Sequence, residues 1–187
     1  MRRLSIITLL AAACLIASAA DTHSPEAITH RLDAIYKHVL SSYGGHDDLN
    51  SGIPTEDFDS LYCSASYNAT MDRIFDLADE DEVVVEADHW IQGQDWQQPM
   101  SCRVLKVYDI NGDAAKADVV VHNFSDHQLT LVLVYERGNW YIDDFISRYD
   151  DYDYDDQWRQ IPGTYGPKED SERHWMRQWL SRSQPAR

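Results

Sequence analysis

The stretch LVLVYERGNWYIDDF, Leu131 to Phe145, decides the fold. Leu131 and Leu133 alternate with Val132 and Val134, the period of a strand with one face on a core. Arg137-Gly138-Asn139 breaks the run with a turn signal, and Trp140 to Ile146 runs back. Outward from this hairpin the same period recurs. Arg103 to Ile110 alternates, and Asn111-Gly112-Asp113 marks a second hairpin. Ala115, Ala117, Val119 and Val121 then share one face of the return strand. Gln128 to Tyr135 adds Leu129 to the leucine face, so an antiparallel meander is expected. Val83-Val84-Val85 reads as a further short strand.

Helical signals come before this meander. Ser24-Pro25-Glu26 offers a side-chain cap, a proline in the first turn and an acid facing the helix dipole. Ile28, Leu32, Ile35 and Val39 follow at helical spacing, and Gly44-Gly45 stops the pattern. His46 to Pro54 is polar loop. Thr55 to Leu77 reads as helix in two pieces, with Phe58, Leu61 and Tyr62 as the apolar face of the first, Met71, Ile74 and Phe75 as that of the second, and a break over Ser64 to Thr70. Asp170 to Leu180 is a last helix. Helices followed by strands give an α+β domain, N-terminal helices packed on a curved antiparallel sheet with a C-terminal helical tail.

The chain opens with Arg2 and Arg3, an apolar run from Leu4 to Ile16 and small residues at Ala17 to Ala20. That is an export signal, cleaved after Ala19 or Ala20. Lipidation of Cys14 after Ala11-Ala12-Ala13 is the competing reading. The expected organisation is signal at 1–20, one domain at 21–148, and an acidic loop with an amphipathic helix at 149–187. Export places the mature chain in the periplasm or outside the cell.

With 16 Lys+Arg against 32 Asp+Glu, the 187 residues carry a formal charge of −16. Loss of two arginines with the signal takes this to −18, since no acid lies in the first twenty residues. Such a chain is unsuited to nucleic acid phosphates or anionic lipid. It favours a basic protein partner or a small ligand. The apolar run at the start is too short to span a bilayer, and no later segment matches it. Cys63 and Cys102 remain after cleavage, and in an oxidising compartment an isolated pair is expected to form a disulfide.

The export signal before an amphipathic helix, the segment ADHWIQGQD at Ala87 to Asp95, and the hairpin Leu133 to Phe145 together resemble the nuclear-transport-factor-two-like superfamily. More narrowly they resemble a domain-of-unknown-function family of small exported bacterial proteins and lipoproteins. The resemblance covers about residues 25–148. It implies a cystatin-like cone, a bent sheet covered by helices. It supplies no activity.

Enzymes of the cone superfamily place carboxylates and histidines inside the cavity as general bases, which makes Asp88, His89 and Asp95 the catalytic candidates. His122, Tyr108 and Tyr135 come from strands and add to that set. Asp95 equally suits a loop-holding role. Asp143 and Asp144, on opposite sides of a strand end, are candidates for binding or capping. Trp175 and Trp179 stand four apart beside Arg173 and Arg177, either as core or as a partner surface. Asp151, Asp153 and Asp155 alternate like a calcium loop, but Asp156 stands where that loop needs glycine and Pro162 where it needs glutamate. The run reads as an acidic surface loop, and neither metal nor cofactor is expected. A non-enzymatic exported binding protein, of inhibitor or immunity type toward a basic partner, is the leading expectation. A small isomerase or hydrolase working in the cone is the alternative.

Overall fold

A computed structural model describes residues 21–44, 54–79, 82, 84–85 and 87–183. The expected signal, Cys14, Gly45 and most of the polar loop after it therefore lie outside the described residues. The first helix, α1, spans Pro25–Ser42, and the Ser24 side chain accepts a hydrogen bond from the Ala27 N–H as its cap. The anticipated stripe is its buried face, widened by Tyr36 and Leu40.

Two shorter helices follow, α2 at Phe58–Tyr62 and α3 at Ala65–Leu77. The break between them is confined to Cys63 and Ser64, much narrower than the expected Ser64 to Thr70. The reason is local satisfaction of polar groups. The Ser64 hydroxyl caps the Tyr67 N–H at 2.9 Å, which lets a new helix begin at once. Its own N–H donates to the Ile142 carbonyl at 2.8 Å and fixes the corner to the sheet.

Five strands form one antiparallel sheet in sequence order: β1 (Ser101–Asn111), β2 (Ala114–Asn123), β3 (Ser125–Glu136), β4 (Asn139–Asp151) and β5 (Gly166–Ser171). Gly138, at φ +79°, closes the hairpin between β3 and β4 in a conformation that a side chain disfavours. Ala115, Ala117, Val119, Val121, Leu129, Leu131 and Leu133 are buried together, as their alternation predicts. The fold is thus α+β, with the long helix toward one end of the chain and α4, Glu172–Arg182, at the other. No helix among the described residues is long and apolar enough to cross a membrane.

Three expectations need correction. Val84 and Val85 form no strand; Val84 instead packs into the core from an irregular segment. The segment read as an acidic loop before the last helix ends in a strand. β5 pairs with the outer half of β4, and Met176 and Trp179 of α4 are buried in the common core. The expected disulfide is absent, because Cys63 is bridged to Ile142 on β4 while Cys102 sits on β1, at the opposite side of β2 and β3 in the sheet. Both are free thiols. Alkylation of the denatured, unreduced chain is expected to label both cysteines; protection of the pair from the reagent contradicts this.

The ladder between β3 and β4 is interrupted at one place. Between Val132 and Leu133 the register shifts, pairing them with Asp144 and Ile142 and leaving Asp143 as a bulge. The extra residue resets the parity of β4. Ile142 and Phe145, three apart, both become core residues. Asp144 is buried as well, where it receives the Ser171 hydroxyl at 2.6 Å and the Arg173 N–H at 3.0 Å. Asp143 takes the Ser64 hydroxyl at 2.5 Å. The two aspartates therefore tie α3 and α4 to the sheet, Asp144 from a buried position and Asp143 from a partly exposed one.

Candidate buried carboxylate and histidine cluster

The segment before β1 is folded into a clamp by its own backbone. Asp88 and Gly93 exchange hydrogen bonds of 2.9 and 3.2 Å, closing a turn over His89 to Gln92. Gly93 allows a close approach there: a Cβ would lie 3.2 Å from the Asp95 carbonyl and 3.3 Å from the Asn123 amide, so one of these would have to give way. Asn123, buried at the end of β2, holds the clamp by donating to the Ile91 and Asp95 carbonyls at 3.1 and 2.8 Å. Asp88 accepts the Trp90 N–H at 2.8 Å and the Tyr43 hydroxyl. It works as an internal brace.

This clamp drives Trp90 and Ile91 into the core and sets His89 at its edge, its side chain 11% exposed. The imidazole packs on Phe145, ring centres 4.3 Å apart. Its two nitrogens are held by carboxylates from opposite ends of the chain. Nε2 lies 2.9 Å from Asp59 of α2, and Nδ1 lies 3.3 Å from Glu172, the first residue of α4. Asp59 also accepts from the Trp90 indole at 2.9 Å and faces the Cys63 thiol at 3.8 Å. Glu172 receives the Tyr67 hydroxyl at 2.5 Å.

The electrostatics are set by this geometry. Burial opposes charge on His89, but Glu172 and then Asp59 outweigh it and push the imidazolium up to about 9. Burial likewise acts against the Asp59 carboxylate, yet the His89 and Trp90 hydrogen bonds hold it below the usual range. Glu172 is raised, because burial outweighs the help of His89 and Tyr67. Burial beside these acids also pushes the Tyr67 hydroxyl and Cys63 thiol up. At neutral pH the cluster holds an imidazolium between two acids, with no ring nitrogen free to take a proton.

Of the catalytic candidates, then, only His89 enters the cluster. Asp88 braces the clamp beside it. Asp95 contributes its carbonyl to Asn123 and its carboxylate to the Trp96 N–H at 2.8 Å. His122 is exposed and pairs with Asp126 at 2.7 Å. The Tyr108 hydroxyl donates to Asp118, and Tyr135 packs against His23 and Trp140. Trp179 is core and Trp175 half-buried. The alternating aspartates diverge: Asp153 pairs with Lys168 at 2.6 Å and Asp155 with Arg159 at 2.7 Å, while Asp151 receives the Tyr152 N–H at 2.7 Å.

The sequence reading missed Asp59, Tyr67 and Glu172. Asp59 and Cys63 share a helix face by their spacing of four, and Glu172 follows the Ser171 cap as a first-turn acid. Nothing local announces that these turns meet.

His89 also borders two surface grooves. The larger, of about 680 Å³, is lined by acids (Glu56, Asp57, Asp59 and Asp88) and by apolar side chains that include Phe75 and Val85. No lysine or arginine is among the described residues that line it. The other, of about 570 Å³, runs along Trp175 and Trp179. No family model, curated protein or solved structure matches the chain.

Proposed function

We propose that the chain is an exported, non-enzymatic binding protein whose larger groove takes a basic, partly apolar segment of a partner protein. One observation carries this reading. Four carboxylates and the exposed apolar side chains of Phe75 and Val85 line one concave surface, no lysine or arginine is among the described residues that line it, and the His89 imidazolium there is already paired with Asp59 and Glu172. The formal charge of −16 adds a field that steers basic partners toward it. Export rests on the pattern of residues 1–20. An inhibitor or immunity role is the version that this charge complementarity favours.

The cone assignment belongs to the same proposal. What supports it is the packing of α1 along β1 together with the meander order of the strands. Acid-base catalysis is less favoured. His89 is fixed between two acids and Asp88 is spent on Tyr43 and Trp90, so neither is poised to receive a substrate proton.

The test uses a labelled peptide of alternating arginine and leucine, titrated by fluorescence anisotropy against the full chain. Binding is expected to weaken with added salt and to fall about tenfold for the pair Glu56→Gln and Asp57→Asn. Asp57→Asn keeps the α2 cap, so the fold is spared. Phe75→Ser is expected to weaken binding at all salt concentrations. Asp150→Asn, outside the groove, serves as control. Equal binding by the groove variants and the control rejects the groove.

A further inference from the structure

We propose that Asp59, Cys63 and His89 form a binding site for a divalent transition metal of the zinc type. Their donor atoms, a carboxylate oxygen, Sγ and a ring nitrogen, all lie within 4.8 Å of one another. Asp59 Oδ1 is 2.9 Å from His89 Nε2 and 3.8 Å from Cys63 Sγ. Tetrahedral zinc, with Zn–O and Zn–N near 2.0–2.1 Å and Zn–S near 2.3 Å, spaces such donors by roughly 3.3–3.6 Å. The two separations from Asp59 bracket that range and the third, His89 to Cys63, is within 4.8 Å, so side-chain rotations bring all three onto one ion.

The donor set also selects the metal. Calcium and magnesium seek all-oxygen cages, whereas thiolate, imidazole and carboxylate together suit zinc and its neighbours. On binding, the ion replaces the proton shared by Nε2 and Asp59 and the proton on Sγ, and both protons leave to solvent. Three protein ligands leave one tetrahedral position for water or a ligand. Asp59 and His89 line the larger groove, which gives the ion a route from solvent.

A second, independent observation points the same way. Metal-bound histidines almost always donate their other ring N–H to a carboxylate, a backbone carbonyl or a water, which fixes the ring and raises its basicity. Glu172 stands 3.3 Å from His89 Nδ1 and is itself fixed by the Tyr67 hydroxyl at 2.5 Å. Phe145 supports the ring from one face. The support for a liganding His89 is therefore assembled from α3, β4 and α4, while Cys63 is anchored to β4 beside Ile142. The site does not depend on what fills the groove, so its failure leaves the peptide reading untouched.

The experiment strips the full chain with a chelator and titrates zinc against a chromophoric competitor, then repeats the titration with cobalt(II). One ion per chain is expected, with a thiolate-to-cobalt charge-transfer band in the absorption spectrum. Glu172→Gln is expected to weaken zinc by about 10- to 100-fold, and Cys63→Ser by more than that with loss of the band. Cys102→Ser leaves both unchanged. A wild-type chain without the charge-transfer band overturns the site, even if the variants fail to fold. Zinc bound equally by wild type and Cys63→Ser overturns it too, assigning the ion to surface histidines or acids.

Discussion

Replacing His89 by alanine is expected to lower the unfolding free energy by about 3–5 kcal/mol, the usual cost of removing one partner from a buried ion pair. The loss arises from the groups left behind. Asp59 and Glu172 stay in place, each largely buried, with no cation between them. Tyr67 and Trp90 still donate to them, but hydrogen bonds from neutral groups do not neutralise charge. Urea denaturation followed by tryptophan fluorescence measures the change, since Trp90 reports directly on the cluster. Adding Asp59→Asn and Glu172→Gln to His89→Ala is expected to restore part of the stability, because neutral amides no longer need the imidazolium. A loss below about 1 kcal/mol for His89→Ala shows that the acids are neutralised another way.

The same pair sets the pH profile. His89 has a folded value of about 9 against an ordinary 6.5, so its contribution is complete below 6.5 and disappears as pH rises through 9. Glu172, also raised, acts in the same direction, its contribution being lost as pH climbs past its ordinary value. Asp59 is lowered, so its contribution holds above its ordinary 3.8 and is lost only as pH falls further. The groups facing the ring are Asp59, Glu172 and Asp88, and all three favour the imidazolium. In chelator-treated protein the midpoint of unfolding is therefore expected to decline between pH 6.5 and 9, and His89→Gln to flatten that decline. An unchanged slope in the variant assigns the decline to other groups.

The meander was legible because its information is local. Alternation at Leu129, Leu131 and Leu133, with glycine turns at fixed places, leaves little freedom in register. The stripe of α1 is equally explicit. What could not be read is parity and distance. Simple alternation points Asp143 and Asp144 opposite ways, yet a bulge at Asp143 brings both into contact with helices. His89 was visible as an isolated histidine, but its partners lie 30 residues before it and 83 after it. Neither α2 nor the start of α4 carries a pattern that names the other. Cys63 and Cys102 invited pairing on compartment chemistry alone, and strand order separates them. Sequence periodicity reports which face is apolar; it is silent on which loops the folded sheet brings together.

Ending the chain after Asp151 is expected to abolish cooperative unfolding, although the composition there looks like a solvated tail. The cut removes β5, and with it every ladder partner that β5 gives the outer half of β4. It removes Met176 and Trp179 from the core, each contributing roughly 1.5–3 kcal/mol by burial. Asp144 loses the Ser171 hydroxyl and the Arg173 N–H, leaving a carboxylate without those donors. Arg173 no longer joins Ser66 and Thr70 of α3 to Asp143, and His89 loses Glu172. Domains of this size are stable by only about 5–15 kcal/mol, so losses of this kind in one region exceed what the remainder can absorb. Near-UV circular dichroism of the truncated chain is expected to be featureless, with no sigmoidal urea transition. The single change Trp179→Ala is expected to cost about 3 kcal/mol with cooperativity kept. A truncated chain that unfolds at the wild-type midpoint makes the last thirty-six residues an appendage and dissolves the carboxylate cluster as a structural unit.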